Sequence, residues 1–542
     1  MANNDHWKYL GWTIKGIGGA AKAGAWAYST AQSAEQARRL ERAIADASKP
    51  PDPMEGFATG AELDQYRYKQ NSLYLGRMHE DHGVAFDAGV TDDRGVFIIA
   101  GSRSGKGTSF YIPNCILWEG PLVCVDPKGE AASITALRRG TEEAATGTGT
   151  NVREFIGQEV AVLDPLGEVR GPARAYCTSY NPMGDIDMSR GGGVGQIRAI
   201  ANGMVTQSES GEKEDEHFLE SAETIIAGII EMMMMAEENP RRRNLPNVRQ
   251  IVLGGRDAIL YHLTQIGHAG ELAKEAVSII EDVGKDEWSA YRSTLSRALK
   301  WMIEPGIREQ LRESDFSLWD NVQKGGSVFF VVKSTRIDEF KSWLRIMINM
   351  ALEAKTALGP NQTGPKTLFM LDEFASLGKM RLLEKAVAEM PGYGIKLVPV
   401  IQGIGQMSVY GKNWETFLDN TAALIGWGFG PGKESPQLFS DLLGRYLRRE
   451  MSVGDTAGMG GVMNLTHGQS VNEGLQERVV RYPNQVREES TPASMRSFVI
   501  SAHGKPFTIR RRPYFEEFAG QGMFDDPAHI LMWEENFRKL DG

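Results

Sequence analysis

Short apolar runs recur along the chain, and each stops at a polar turn. Residues 96–99 (VFII), 121–125 (PLVCV), 159–163 (EVAVL), 327–332 (SVFFVV), 367–373 (TLFMLDE), 395–402 (IKLVPVIQ) and 422–429 (AALIGWGF) are of this kind. Continuous apolar runs of that length predict strands buried on both faces, as in a parallel sheet. Two later runs, SFVISA and PFTIRRRPYF, predict further strands. Between 191 and 325 the period changes. Phe218, Ala222, Ile225, Ile226, Ile229, Ile230, Met233 and Met234 recur at helical spacing, and helical pieces follow at 246–268, 271–284 and 288–303. The methionine run there reads as core filling rather than a binding groove. The layout is that of an α/β protein, a doubly wound parallel sheet interrupted by an all-alpha insertion. Four segments follow: a helical extension and linker at 1–57, ending in the prolines of KPPDP; the first part of the α/β domain at 58–190; the insertion at 191–325; and the second part at 326–542. The glycine-rich stretch 452–474 reads as a mobile loop.

Composition narrows the classes. The 542 residues are 41% hydrophobic and 24% charged, which is ordinary for a globular chain of two or three domains. A net charge of −10 excludes wholesale binding of nucleic acid, so a polyanion would meet a local basic patch or pore lining. Cys115, Cys124 and Cys177 have no metal-ligand spacing and an odd count, which points to a reducing compartment. Lys15 and Lys22 interrupt the apolar stretch 8–30, and Glu220, Glu223 and Glu231 interrupt 218–235. Neither reaches the roughly 20 apolar residues a bilayer requires, so the chain is expected to be soluble, without a transmembrane segment.

The chemistry concentrates at strand ends. The run 95–114, GVFIIAGSRSGKGTSFYIPN, is a buried strand, a glycine-rich turn and a helix-compatible continuation. Backbone N–H groups from Ser102 through Arg103, Ser104, Gly105 and Lys106 to Gly107 suit a phosphate cradle, within a nucleotide-binding run that extends to Gly101 and Thr108, and Lys106 would reach the β and γ oxygens of the nucleotide, ATP. The usual Ser or Thr after the lysine, a magnesium ligand, is replaced by Gly107, and Thr108 or water is left to substitute. Asp372 and Glu373 close the strand TLFMLDE. Buried acids without a partner are costly, and a Mg2+-holding Asp372 with a water-activating Glu373 accounts for them. Gln402 closes the next strand, where it is placed to sense the γ-phosphate.

The segments SRSGKGTSFYIPN, VDPKGE, YNPM, LDEFASLGKM, PGYGIKLVPVIQGIGQMSVYG and DLLGRY together resemble type IV secretion coupling proteins, the conjugative ATPases of the TraG/TraD kind, over roughly residues 70–515. The family commonly carries Gly after the loop lysine. The resemblance implies a RecA-like P-loop NTPase domain with an inserted all-alpha domain, a homo-oligomeric ring, a hexamer in that family, and delivery of DNA with its relaxase, or of effector proteins, to a secretion channel at the inner membrane. It also implies roles for Asp126, Lys128 and Glu130 at a neighbouring strand end, with Lys128 contacting phosphate of its own or the next subunit. Family members usually carry an N-terminal membrane anchor and an arginine before the GYG turn; here the chain is expected to lie at the cytoplasmic face of the membrane without an anchor, and Met390-Pro391-Gly392 stands at the turn. Arg381 and Arg445, with Arg448 and Arg449, are the candidates for a trans-acting arginine. A protein-effector receptor and a soluble DNA translocase outside conjugation remain the alternatives.

Overall fold

The structure is a computed structural model that describes residues 54–542 apart from 190–192, 207–215, 265–269, 461–463 and 542, together with residues 38 and 41. The extension expected at 1–57 therefore lies almost wholly outside the described residues. Contacts divide the described residues into two compact units, one within 57–442 with 481–541 and one within 443–480 with 54–56.

The larger unit is built on one eleven-stranded sheet. Its strands are β1 (Leu73–Met78), β2 (Asp87–Val90), β3 (Val96–Ala100), β4 (Leu122–Asp126), β5 (Val160–Leu163), β6 (Ser327–Val331), β7 (Thr367–Leu371), β8 (Ile395–Ile401) and β9 (Ala423–Trp427), then Arg496–Ser501 and Phe507–Arg510. The last two follow the strands β10 (Arg445–Gly460) and β11 (Asn464–Val479) of the smaller unit and are numbered β12 and β13. The spatial order is β2-β1-β13-β12-β9-β3-β8-β7-β4-β6-β5. From β9 to β5 every pairing is parallel, and from β9 to β2 every pairing is antiparallel. Every residue of β3, β4, β6, β7, β8 and β9 is buried, which is why these strands read as unbroken apolar runs. The short, glycine-interrupted β1 and β2 gave no such signal.

Helices enclose the sheet. Those used below are α1 (Ile112–Leu117), α2 (Glu130–Arg139), α3 (Gly193–Met204), α4 (Glu216–Ala236), α5 (Glu271–Asp282) and α6 (Ile337–Thr356). Among the described residues no strand occurs between β5 and β6. On α4, Ile225, Ile226, Ile229, Ile230, Met232 and Met233 are buried, while Met235 is exposed, so the methionine run is half core and half surface. Glu231, one of the acids that interrupt the apolar run, is buried and accepts a hydrogen bond from the Ala273 N–H at 2.9 Å. It satisfies a free donor in the first turn of α5. Among the described residues no helix is long and apolar enough to cross a membrane.

In the smaller unit the structure differs from the expected loop. β10 and β11 pair antiparallel from Arg445 with Val479 to Gly460 with Asn464. A hairpin ribbon needs only local backbone pairing, not a buried face, so a polar, glycine-rich sequence can form it without the apolar alternation that marks a half-buried strand.

Candidate nucleotide site

The glycine-rich loop is shaped by its packing against the end of β9. An ideal Cβ on Gly101 would lie 1.9 Å from the Gly428 carbonyl oxygen, so no side chain fits there. The Gly101 N–H donates to the Trp427 carbonyl at 3.2 Å, and the Trp427 indole N–H donates to the Ser104 carbonyl at 3.0 Å. The Ser104 hydroxyl donates to the Gly101 carbonyl at 2.6 Å. Arg103 (φ 55°) and Gly105 (φ 83°) adopt left-handed backbone, which curls the chain. A wide π turn, Gly107–Tyr111, then leads into α1. The Tyr111 hydroxyl lies 2.6 Å from the Val125 carbonyl and 2.7 Å from that of Met370, tying this turn to the ends of β4 and β7. Ser102 and Arg103 are exposed at the tip of the loop.

Parallel strands bring the other groups to the same edge. β8 lies between β3 and β7, so Gln402 stands between the loop and the acidic pair. The Lys106 ammonium is 2.9 Å from Asp372 Oδ1 and 2.8 Å from Glu373 Oε1. Gln402 Nε2 donates to both carboxylate oxygens of Glu373 at 3.0 Å. The Glu373 N–H donates to Asp372 Oδ1 at 3.0 Å, and Glu373 itself is left-handed (φ 54°, ψ 37°). The side chains of Lys106, Asp372 and Glu373 are only 13–15% exposed. Burial works to lower the Lys106 pKa, but the two carboxylates outweigh it and hold the ammonium above its ordinary value. Two acids share this one cation, and burial keeps the Asp372 carboxyl above the ordinary range despite the pull of Lys106.

The sequence model of the family described as "Type IV secretory system Conjugative DNA transfer" matches residues 59–536. The chain belongs to this family. The conjugal transfer protein TraG of Agrobacterium fabrum is 27% identical over 329 residues, 60% of this chain and 46% of TraG. The type IV secretion system-coupling protein VirD4 of Bartonella henselae is 22% identical over 401 residues, 73% of this chain and 59% of VirD4. The chain spans about half the length of the curated relatives it matches. The plasmid coupling protein TrwB in complex with ADP and Mg2+ shares the fold, with a TM-score of 0.54 at 14% identity over 84% of this chain and 93% of TrwB.

In this member of the family the remaining positions fall into four places. Asp126 ends β4, and its carboxylate accepts from the Ala132 N–H at 2.8 Å and the Lys128 N–H at 3.3 Å, pinning the turn into α2. Burial pushes its carboxyl up to about 6, against those hydrogen bonds. Lys128 is exposed, and Glu130 opens α2 beside Gly107. The Thr108 hydroxyl donates to the Gly105 carbonyl at 3.2 Å. Arg381 pairs with Glu216 at 2.7 Å and Glu220 at 3.4 Å, both on α4. Arg445 begins β10 and pairs with Glu477 at 2.9 Å, in the unit that does not hold the loop. Arg448 lies on the same strand, and the side chain of Arg449 is outside the described residues.

One connection was not legible in the sequence. Arg345 on α6 is buried, and its guanidinium donates to the carbonyls of Gly203, Leu377, Lys379, Asn202 and Val205 at 2.7–3.5 Å. It joins the end of α3 to the turn that follows Glu373. Tyr410 holds the same turn, accepting from the Met380 N–H at 3.3 Å and stacking on Phe374 with ring centroids 5.8 Å apart. An arginine inside the apolar run of a helix is the only signal the sequence offers.

Proposed function

We propose that this chain is an ATP-hydrolysing coupling protein of a type IV secretion system, which recruits DNA with its relaxase and moves the DNA through a ring of identical subunits. The observation that carries the reading is the convergence of Lys106, Asp372, Glu373 and Gln402, from three separate strand ends, on one loop. Lys106 here pairs with both acids. Triphosphate entering the loop supplies Lys106 with other anions and releases Glu373, which then takes a proton from water while Gln402 orients its carboxylate. A divalent cation suits the same place: the available side-chain donors are oxygens, which a hard ion such as Mg2+ takes. Among the described residues no group of three or more His, Cys, Asp or Glu converges to hold an ion unaided, so phosphate oxygens would complete the set. Bound there, the ion neutralises charge on the phosphates.

RecA-type sites are completed by a neighbouring subunit, so we assign a transition-state arginine to the next copy in a ring, with six subunits as the working number. The ring would work at the cytoplasmic face of the inner membrane, against channel components there. ATP turnover per subunit, measured against protein concentration with and without single- and double-stranded DNA, tests these points together. Turnover should rise steeply with concentration, rise further with DNA, and lose the DNA effect as salt increases. Stimulation by protein ligands alone, after nuclease treatment, would replace this reading with the effector-receptor one. Unchanged turnover on Glu373→Gln would remove the site from catalysis.

A further inference from the structure

We propose that Glu130 supplies an oxygen ligand to the divalent cation bound with the nucleotide, in the place left by the missing hydroxyl at position 107. The inference rests on the nucleotide reading above and adds a metal ligand to it.

Three observations meet at this point. Gly107, directly after the loop lysine, has no side-chain oxygen. The neighbouring Thr108 turns its hydroxyl back to the Gly105 carbonyl, 3.2 Å away. An ideal Cβ on Gly107 would meet a single atom within 4 Å, the Oε2 of Glu130 at 4.0 Å. The space that a serine side chain would occupy is therefore open, and the atom facing it is a carboxylate oxygen.

The turn that delivers Glu130 is closely specified. Asp126 holds the backbone N–H groups of Lys128 and Ala132 at 3.3 and 2.8 Å. Gly129 is left-handed (φ 65°), and an ideal Cβ there would lie 3.0 Å from the Glu168 carbonyl carbon and oxygen, so the position favours glycine twice over. The segment VDPKGE thus has one structural purpose in its aspartate and glycine: to place the first residue of α2. A glutamate at that position also suits the helix macrodipole, and the test must separate the two roles.

A carboxylate differs from a hydroxyl in charge as well as reach. It attracts the cation and repels phosphate, so nucleotide binding should lean on the cation more heavily than a hydroxyl would require. Mn2+ titrated into the protein–ADP complex and followed by electron paramagnetic resonance reads the ligand directly, and ADP affinity in EDTA reads the loop alone. Glu130→Gln should weaken Mn2+ binding by about 10–100-fold and leave metal-free ADP affinity equal or higher. Glu130→Asp keeps the charge and the helix start but shortens the reach, and should also weaken Mn2+. Adding Gly107→Ser to Glu130→Gln, which the open space permits, should restore most of the Mn2+ affinity. Mn2+ affinity within about twofold of the parent for both Glu130 variants, or equal loss of ADP affinity with and without metal, would overturn the assignment. A parent protein that binds no ADP in either condition would instead overturn the nucleotide site itself.

Discussion

In the seven strands from β9 to β5 the chain always runs the same way, whereas in the flank of β12, β13, β1 and β2 each strand reverses its neighbour. Both parts bury apolar side chains of the same kinds. They differ in where polar residues end up. The parallel block sends Lys106, Asp126, Asp372, Glu373 and Gln402 to one edge, although they are far apart in the chain. In the flank, successive strand ends alternate between edges, and polar groups serve the local backbone. His82 shows this: it lies 3.1 Å from the Ala58 carbonyl through Nδ1, and the Thr508 N–H donates to its Nε2 at 2.9 Å. That pairing fixes the neutral ring with its proton on Nδ1. A parallel sheet can gather a reaction from distant sequence; the antiparallel flank instead closes and supports the sheet.

The comparison can be broken or sharpened at several positions. The largest effect belongs to the block: Glu373→Gln should lower ATP turnover by about 10²–10⁴-fold while ADP binding survives. Phe507→Ala on β13, a fully buried ring 4.4 Å from that of Tyr66, should cost about 3–5 kcal/mol in denaturant unfolding yet leave ADP affinity unchanged. Equal loss of both would make the flank part of the site.

Acid should act on the two parts in opposite directions. Asp126 is buried and its pKa is raised to about 6 from an ordinary 3.8, so it holds its proton more tightly when folded. Its contribution stabilises the fold below the ordinary carboxylate pKa and is lost as pH rises through about 6, a span on the order of 2–3 kcal/mol. In unfolding measured in EDTA, Asp126→Asn should flatten that dependence. Burial lowers the His82 pKa, so the fold favours the neutral ring, and stability should fall as pH drops below the ordinary value of 6.5. His82→Gln should remove that loss. The smallest effect is expected at the surface of the flank: Arg510→Ala breaks an exposed pair with Glu80 at 3.1 Å and should change stability by less than about 1 kcal/mol.

The block was readable in the sequence because double-sided burial forces unbroken apolar runs, and because acids at the end of such a run lack a packing explanation. The glycine-rich turn singled out Lys106, the unexplained acids singled out Asp372 and Glu373, and the end of the next strand singled out Gln402; the structure brings these four side chains together. β1 and β2 escaped because they are short, carry glycine and charge, and belong to the flank. Arg345 escaped because an arginine inside an apolar helical run does not reveal which five distant carbonyls satisfy its guanidinium. The packing of Gly101 on Gly428 escaped because nothing in either local sequence refers to the other. The ribbon β10–β11 escaped because its pairing is local and has no apolar code.

Glu373 occupies a left-handed conformation that a glycine would hold with less strain, by about 1–2 kcal/mol. Replacing it by glycine should therefore relax the fold while deleting the carboxylate that faces Lys106. Selection for durability and selection for work pull this one residue in opposite directions, so laboratory evolution of the chain for heat resistance alone should erode its activity here early.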